Sequence, residues 1–115
     1  MTTAYRSKLW LEKNGWKAEV VEHRRGRFRY DLFGAFDVMA IRKYPDGRGE
    51  VLLVQAFEDR DAKKHRHWWD KDIVKMFQSA PITVATMSWK KVGGRWNKPR
   101  IAGLLGNENS LSPLP

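Results

Sequence analysis

Cysteine is absent from the 115 residues, which excludes disulfides, thiolate–metal sites and cysteine nucleophiles. Long apolar runs are absent as well: none approaches the roughly 20 residues that span a bilayer. The opening MTTAYRSKLWLEKNG has no apolar centre of the kind a secretory signal needs. No membrane partner and a cytoplasmic location are therefore expected. No Gly-x-Ser-x-Gly elbow, Gly-x-x-x-x-Gly-Lys loop or Gly-x-Gly-x-x-Gly turn occurs, so serine-hydrolase, phosphate-loop and dinucleotide-fold chemistry find no support. His65 and His67 stand two apart, a spacing that does not share a helical face, and a zinc site there is not expected. There are no internal repeats and no low-complexity segments. Negative charge is scarce: 13 Asp and Glu stand against 22 Lys and Arg, a net charge of +9.

That excess concentrates polyanions around a small domain and speeds encounter with them, and nucleic acid is the polyanion expected. The cations fall into three clusters. The first is His23, Arg24, Arg25, Arg27 and Arg29 around Gly26. The second is Lys63, Lys64, His65 and Arg66, running into His67, Trp68 and Trp69. The third is Lys90, Lys91, Arg95, Lys98 and Arg100 around Gly93 and Gly94. Guanidinium forks match phosphate oxygens, and a glycine lets the backbone follow a strand of nucleic acid. Arg24, Arg25, Arg27, Arg29, Lys63, Lys64 and Arg66 are the expected phosphate contacts.

The length allows one domain, expected over 1–102, with a loosely ordered tail over 103–115. A short helix is predicted over 3–14, with Tyr5, Leu9 and Lys13 on one face and Asn14-Gly15 as its stop. A strand follows over 16–22, then an arginine loop over 23–30. A second strand is predicted over 32–42, with Gly34 as a bulge. Tyr44-Pro45-Asp46-Gly47 is a turn, and 50–57 a third, central strand. One long helix is predicted over 61–78, capped by Asp59 or Asp61, with Trp69, Ile73 and Phe77 on one face. Pro81 ends it. Strands over 82–89 and 95–101 complete an α-β-β-β-α-β-β order. The fold class is α/β with a mixed five-stranded sheet flanked by helices, the long helix being the crossover that makes two strands parallel.

Polar interruptions in the apolar strands are the chemical clue. Strand alternation would set Phe33, Ala35, Asp37, Met39 and Ile41 on one face. An ionised carboxylate among them is costly unless paired or bound to metal. Gln55 interrupts VLLVQAF in the same way, in the other arm of the hairpin. Glu22 and Asp31 are further oxygen donors nearby, although Asp31 also fits a simple turn cap and Glu22 an ordinary ion-pair partner. Asp37, Gln55, Glu22 and the backbone carbonyl of Ala56 make an all-oxygen ligand set suited to Mg²⁺ or Mn²⁺. A metal held there activates water and stabilises charge on a phosphodiester.

The helix ending in Asn14-Gly15-Trp16, the segments AEVVE, FDVMAI and EVLLVQAF, and the later APITVATMSWKKVGGRW resemble the core of the PD-(D/E)XK nuclease superfamily. More narrowly, they resemble the archaeal-type Holliday junction resolvases, including versions carried by viruses, over residues 3–102. The resemblance implies a restriction-endonuclease-like fold and a Mg²⁺- or Mn²⁺-dependent endonuclease that hydrolyses phosphodiesters in four-way DNA junctions. It also implies a homodimer, and a location at the nucleoid or in a host cytoplasm. The family's metal-binding aspartate matches Asp37 in Asp37-Val38-Met39-Ala40. Its Glu-x-Lys falls on Gln55-Ala56-Phe57, where glutamine replaces the acid and phenylalanine the lysine. Glu22 is then the candidate replacement acid, and Lys63 or Lys64 the replacement cation. Trp68, Trp69, Met76 and Phe77 are the candidate dimer contacts. Two alternatives accompany this reading: a DNA-binding module of the same fold that no longer cuts, and a single-stranded RNA-binding protein that stacks bases on exposed aromatics.

Overall fold

A computed structural model describes residues 1–103; the Arg24 side chain lies outside what is described, as does the tail expected over 103–115 except for Gly103, which ends the last strand. The first helix, α1 (Thr3–Lys13), starts where the Thr2 hydroxyl accepts the Tyr5 N–H and stops at Asn14-Gly15. Its buried stripe is Ala4, Ser7 and Leu11. The face expected from Tyr5 is corrected accordingly, since Tyr5 is exposed. The helix lies on a five-stranded mixed sheet in the order β1 (Lys17–Val20), β4 (Val38–Lys43), β5 (Gly49–Glu58), β6 (Thr83–Trp89) and β9 (Arg100–Gly103). Only β5 and β6 run parallel, and the helical connection between them is the crossover. This is the α/β plan with a mixed five-stranded sheet and flanking helices.

Alternation along the strands divides the interior in two. On the α1 side, Ala18, Val38, Ala40, Leu52, Val54, Ala85 and Met87 form one core with Leu11, Trp16 and Trp89. The Trp89 indole donates to the Ser7 hydroxyl at 2.9 Å, which satisfies two buried polar groups at once. On the other side, Leu53 and Val84 meet Ala35, Phe36, Trp68 and Val74.

Three expected elements take a different form. The arginine loop is a β-hairpin, β2 (His23–Arg25) paired with β3 (Phe28–Tyr30). The strand expected over 32–42 begins only at Val38. Phe33 and Gly34 are both left-handed (φ 55° and 68°), which turns the chain back on itself, and Leu32 bonds Phe36 across the loop. The loop drives Ala35 and Phe36 into the second core, so the shared face proposed for Phe33, Ala35 and Asp37 does not form. The single helix expected over 61–78 is broken into a 3-10 turn at Asp59–Asp61, α2 (Ala62–His65), a second 3-10 turn at Trp68–Asp70 and α3 (Asp72–Gln78). Lys71 is extended (φ −65°, ψ 135°), and the Trp68 indole donates to the Ala35 carbonyl at 2.8 Å. Trp68 and Trp69 pack edge to face at 4.7 Å within the second 3-10 turn, where the helical path is interrupted. The last expected strand is also divided. Arg95–Trp96 (β8) forms a small hairpin with Lys91–Val92 (β7), and the chain rejoins the sheet at Arg100.

Candidate metal centre

Asp37 sits where β4 begins, and all three of its polar groups are engaged. Its N–H donates to the Val54 carbonyl (2.9 Å), and its carbonyl accepts the Val21 N–H (2.9 Å). Its carboxylate accepts the Ala56 N–H, at 3.0 Å to Oδ1 and 3.3 Å to Oδ2. The residue is therefore fixed between two neighbouring segments and is 5% exposed.

Glu22 and Asp31 complete the cluster: one carboxylate oxygen from each of the three residues lies within 4.8 Å of the others. Glu22 immediately precedes β2 and Asp31 immediately follows β3, so the hairpin delivers both acids from its two feet to Asp37 at the start of β4. Burial pushes the Asp37 carboxyl well above the usual carboxylate range. The Ala56 N–H opposes that rise, and the charges of Asp31 and Glu22 add to it. Burial also raises Asp31, against the pull of Lys71, Arg29 and His65. Three acids at this separation repel one another, and either a proton or a cation relieves the repulsion. Hard carboxylate oxygens from three segments are a donor set that could hold a divalent cation.

Gln55 lies between the two β5 residues that bond Asp37, Val54 and Ala56. It is buried, and it pairs with Thr86 across the parallel ladder. At Ala56 the group seen to act is the N–H on Asp37, where a carbonyl ligand was expected. Lys63 and Lys64 are exposed on α2, and Lys64 lies 3.5 Å from Asp61. The cations whose charge reaches the cluster are others. Arg29 Nε stands 3.9 Å from Glu22 Oε1, and Lys71 donates to the Gly34 carbonyl in the Asp31–Phe36 loop at 3.1 Å. Lys71 escaped the sequence reading because only the break in the expected helix brings it to that loop. Phe57 lies flat on the His65 ring, with centroids 4.5 Å apart and planes at 14°. Burial lowers the His65 pKa below its ordinary value, against the opposing charge of Asp61.

Arg25, Arg27 and Arg29 are exposed on the hairpin beside the cluster, and Arg66 is exposed after α2. Of the expected dimer contacts, Trp68 is corrected: it is buried in its own core, where Trp69 and Phe77 also pack, and only Met76 stands free at 65% exposure. Among the described residues no helix is long and apolar enough to cross a membrane. No protein-family model, curated protein or solved structure matches the chain.

Proposed function

We propose that the chain is a divalent-metal-dependent DNA endonuclease, restriction-endonuclease-like in fold, that acts on four-way junctions. One observation carries the reading. Glu22, Asp31 and Asp37 converge within 4.8 Å from three separate segments, at the foot of an arginine hairpin on a chain of net charge +9. In this reading the three acids hold Mg²⁺ or Mn²⁺, with the buried Gln55 amide next to Asp37. The ion supplies an activated water and neutralises charge on the phosphodiester. Arg25, Arg27 and Arg29 bind the backbone on either side of the scissile phosphate, and Lys71 and Arg29 offset the charge of the acids. Recognition is by shape and charge, since among the described residues no helix-turn-helix arrangement presents a recognition helix.

The resemblance adds a homodimer. Exposed apolar side chains that could meet a second copy include Met76 on α3, and Met39 and Ile41 on β4 beside the edge strand β1.

The test is cleavage of a four-way junction, a duplex and a single strand in Mg²⁺, Mn²⁺ or EDTA. Junction cutting that needs metal is expected, with a fall of more than about 100-fold in Asp37→Asn, beyond the usual cost of losing an outer partner of a metal ligand. Cutting that survives Asp37→Asn would refute the site. Phe57 in place of the family's lysine favours a second reading, a junction-binding module that cuts nothing. Tight binding without cleavage in either metal selects that reading.

A further inference from the structure

The hairpin beside the acids has two unlike faces. His23 pairs with Tyr30, Arg24 with Arg29, and Arg25 with Phe28. Because paired residues in an antiparallel ladder share a face, His23, Tyr30, Arg25 and Phe28 lie on one side and Arg29 on the other, toward Glu22. The first face is aromatic and open. Phe28 is 57% and Tyr30 45% exposed, and neither belongs to either core. The His23 and Tyr30 rings are stacked at 5.4 Å with planes at 25°. The Arg27 guanidinium sits 5.5 Å from the Phe28 centroid. A tight Gly26-Arg27 turn, with Gly26 at φ 61°, holds the two strands in register.

We propose that this face is a stacking platform for unpaired DNA bases next to the cut site. Two requirements decide the occupant. Planar rings left in water next to Arg25 and Arg27 match a partner that is both flat and anionic. Bases on a phosphate backbone have both properties, whereas an apolar protein surface has only the first. Paired bases in a duplex hide their faces, so the platform selects strands opened at a branch or a gap. The inference rests on the nuclease reading for its choice of DNA and deepens it by naming the substrate feature that is recognised.

The test uses the full chain in EDTA, so that no strand is cut, with 2-aminopurine at unpaired positions of a gapped duplex. Stacking is expected to quench the probe. Phe28→Ala with Tyr30→Ala is expected to abolish the quenching and to weaken binding to gapped DNA about tenfold, while binding to fully paired duplex changes by less than about twofold. Phe28→Trp is expected to keep both signals, and thermal unfolding of each variant verifies that it folds. Equal losses on gapped and paired DNA, unchanged quenching in the double variant, tighter binding of an RNA strand of the same sequence, or variants that merely dissociate a dimer would each overturn the platform. Parallel cleavage assays in Mg²⁺ keep the two proposals apart: cutting without quenching sinks the platform alone, and quenching without cutting sinks the nuclease alone.

Discussion

A carboxylate such as Asp37, sealed from water yet 4.8 Å or less from two other acids, makes stability depend on pH in a defined direction. Its pKa is higher in the folded chain than in the unfolded one, because burial dominates over the Ala56 N–H and the neighbouring acids add to the rise. The folded state therefore binds more protons. The resulting stabilisation is complete below about pH 3.8, the unfolded value, and is lost as pH rises through the folded value. Asp31 acts in the same sense, while His65, lowered by burial, opposes it by destabilising the fold as pH falls through about 6.5. Urea unfolding in EDTA should show Asp37→Asn gaining stability over the parent chain as pH is raised through this window. A difference that does not vary with pH would contradict the cause assigned. Added Mg²⁺ should stabilise the parent at neutral pH and leave Asp37→Asn unchanged. Asp37 was legible in the sequence because it breaks an apolar run. Asp31 was equally visible but fitted a turn cap as well, and only the fold brings it to the other acids.

At the scale of elements, local pattern located α1 and the inner strands better than the segments that connect them. The cores of β4, β5 and β6 read directly from Val, Ile and Leu bounded by turns, and Gly49–Glu58 and Thr83–Trp89 lie close to the expected 50–57 and 82–89. The crossover was misjudged because helical periodicity over 61–78 says nothing about an indole that must reach the Ala35 carbonyl. The same contact explains the late start of β4, since the loop it holds is built on Phe33 and Gly34 in left-handed conformations that a continuous strand excludes. Trp68 thus joins the broken crossover to the loop behind Asp37. Trp68→Ala is expected to cost about 3–5 kcal/mol. The measurement is the urea midpoint, which should fall without a change in slope. A loss below about 1 kcal/mol would mean that the indole is not what binds the two segments.

For the whole molecule, charge and topology were both readable from the sequence, and the distribution of charge over the surface was not. Net charge of +9 predicts steep salt dependence of DNA binding. Each phosphate neutralised on duplex DNA contributes about −0.9 to the slope of log K against log salt, so replacing exposed Arg25 or Arg27 with Gln should flatten that slope by about one unit. An unchanged slope would place the phosphates elsewhere, with the cluster around the β7–β8 turn as the next surface to test. The parallel β5–β6 pair and the strand count of the sheet followed from the order of the apolar runs, although the fifth strand begins only at Arg100. The convergence of the three acids did not, because it depends on a short hairpin closing between Glu22 and Asp31.

That hairpin stands on two carboxylates, one at each foot, and an ion held by both would act as a clasp. Without it, repulsion between ionised feet opposes the closed hairpin and should let the Arg25-Gly26-Arg27 tip enter a protease cleft more often. With it, the ten-residue stretch from 22 to 31 is cinched to the sheet through Asp37. Trypsin should therefore nick the tip more slowly in Mn²⁺ than in EDTA, and Asp31→Asn should erase the protection. Equal digestion in both conditions would mean that the arginine arm and the acids beneath it are mechanically independent.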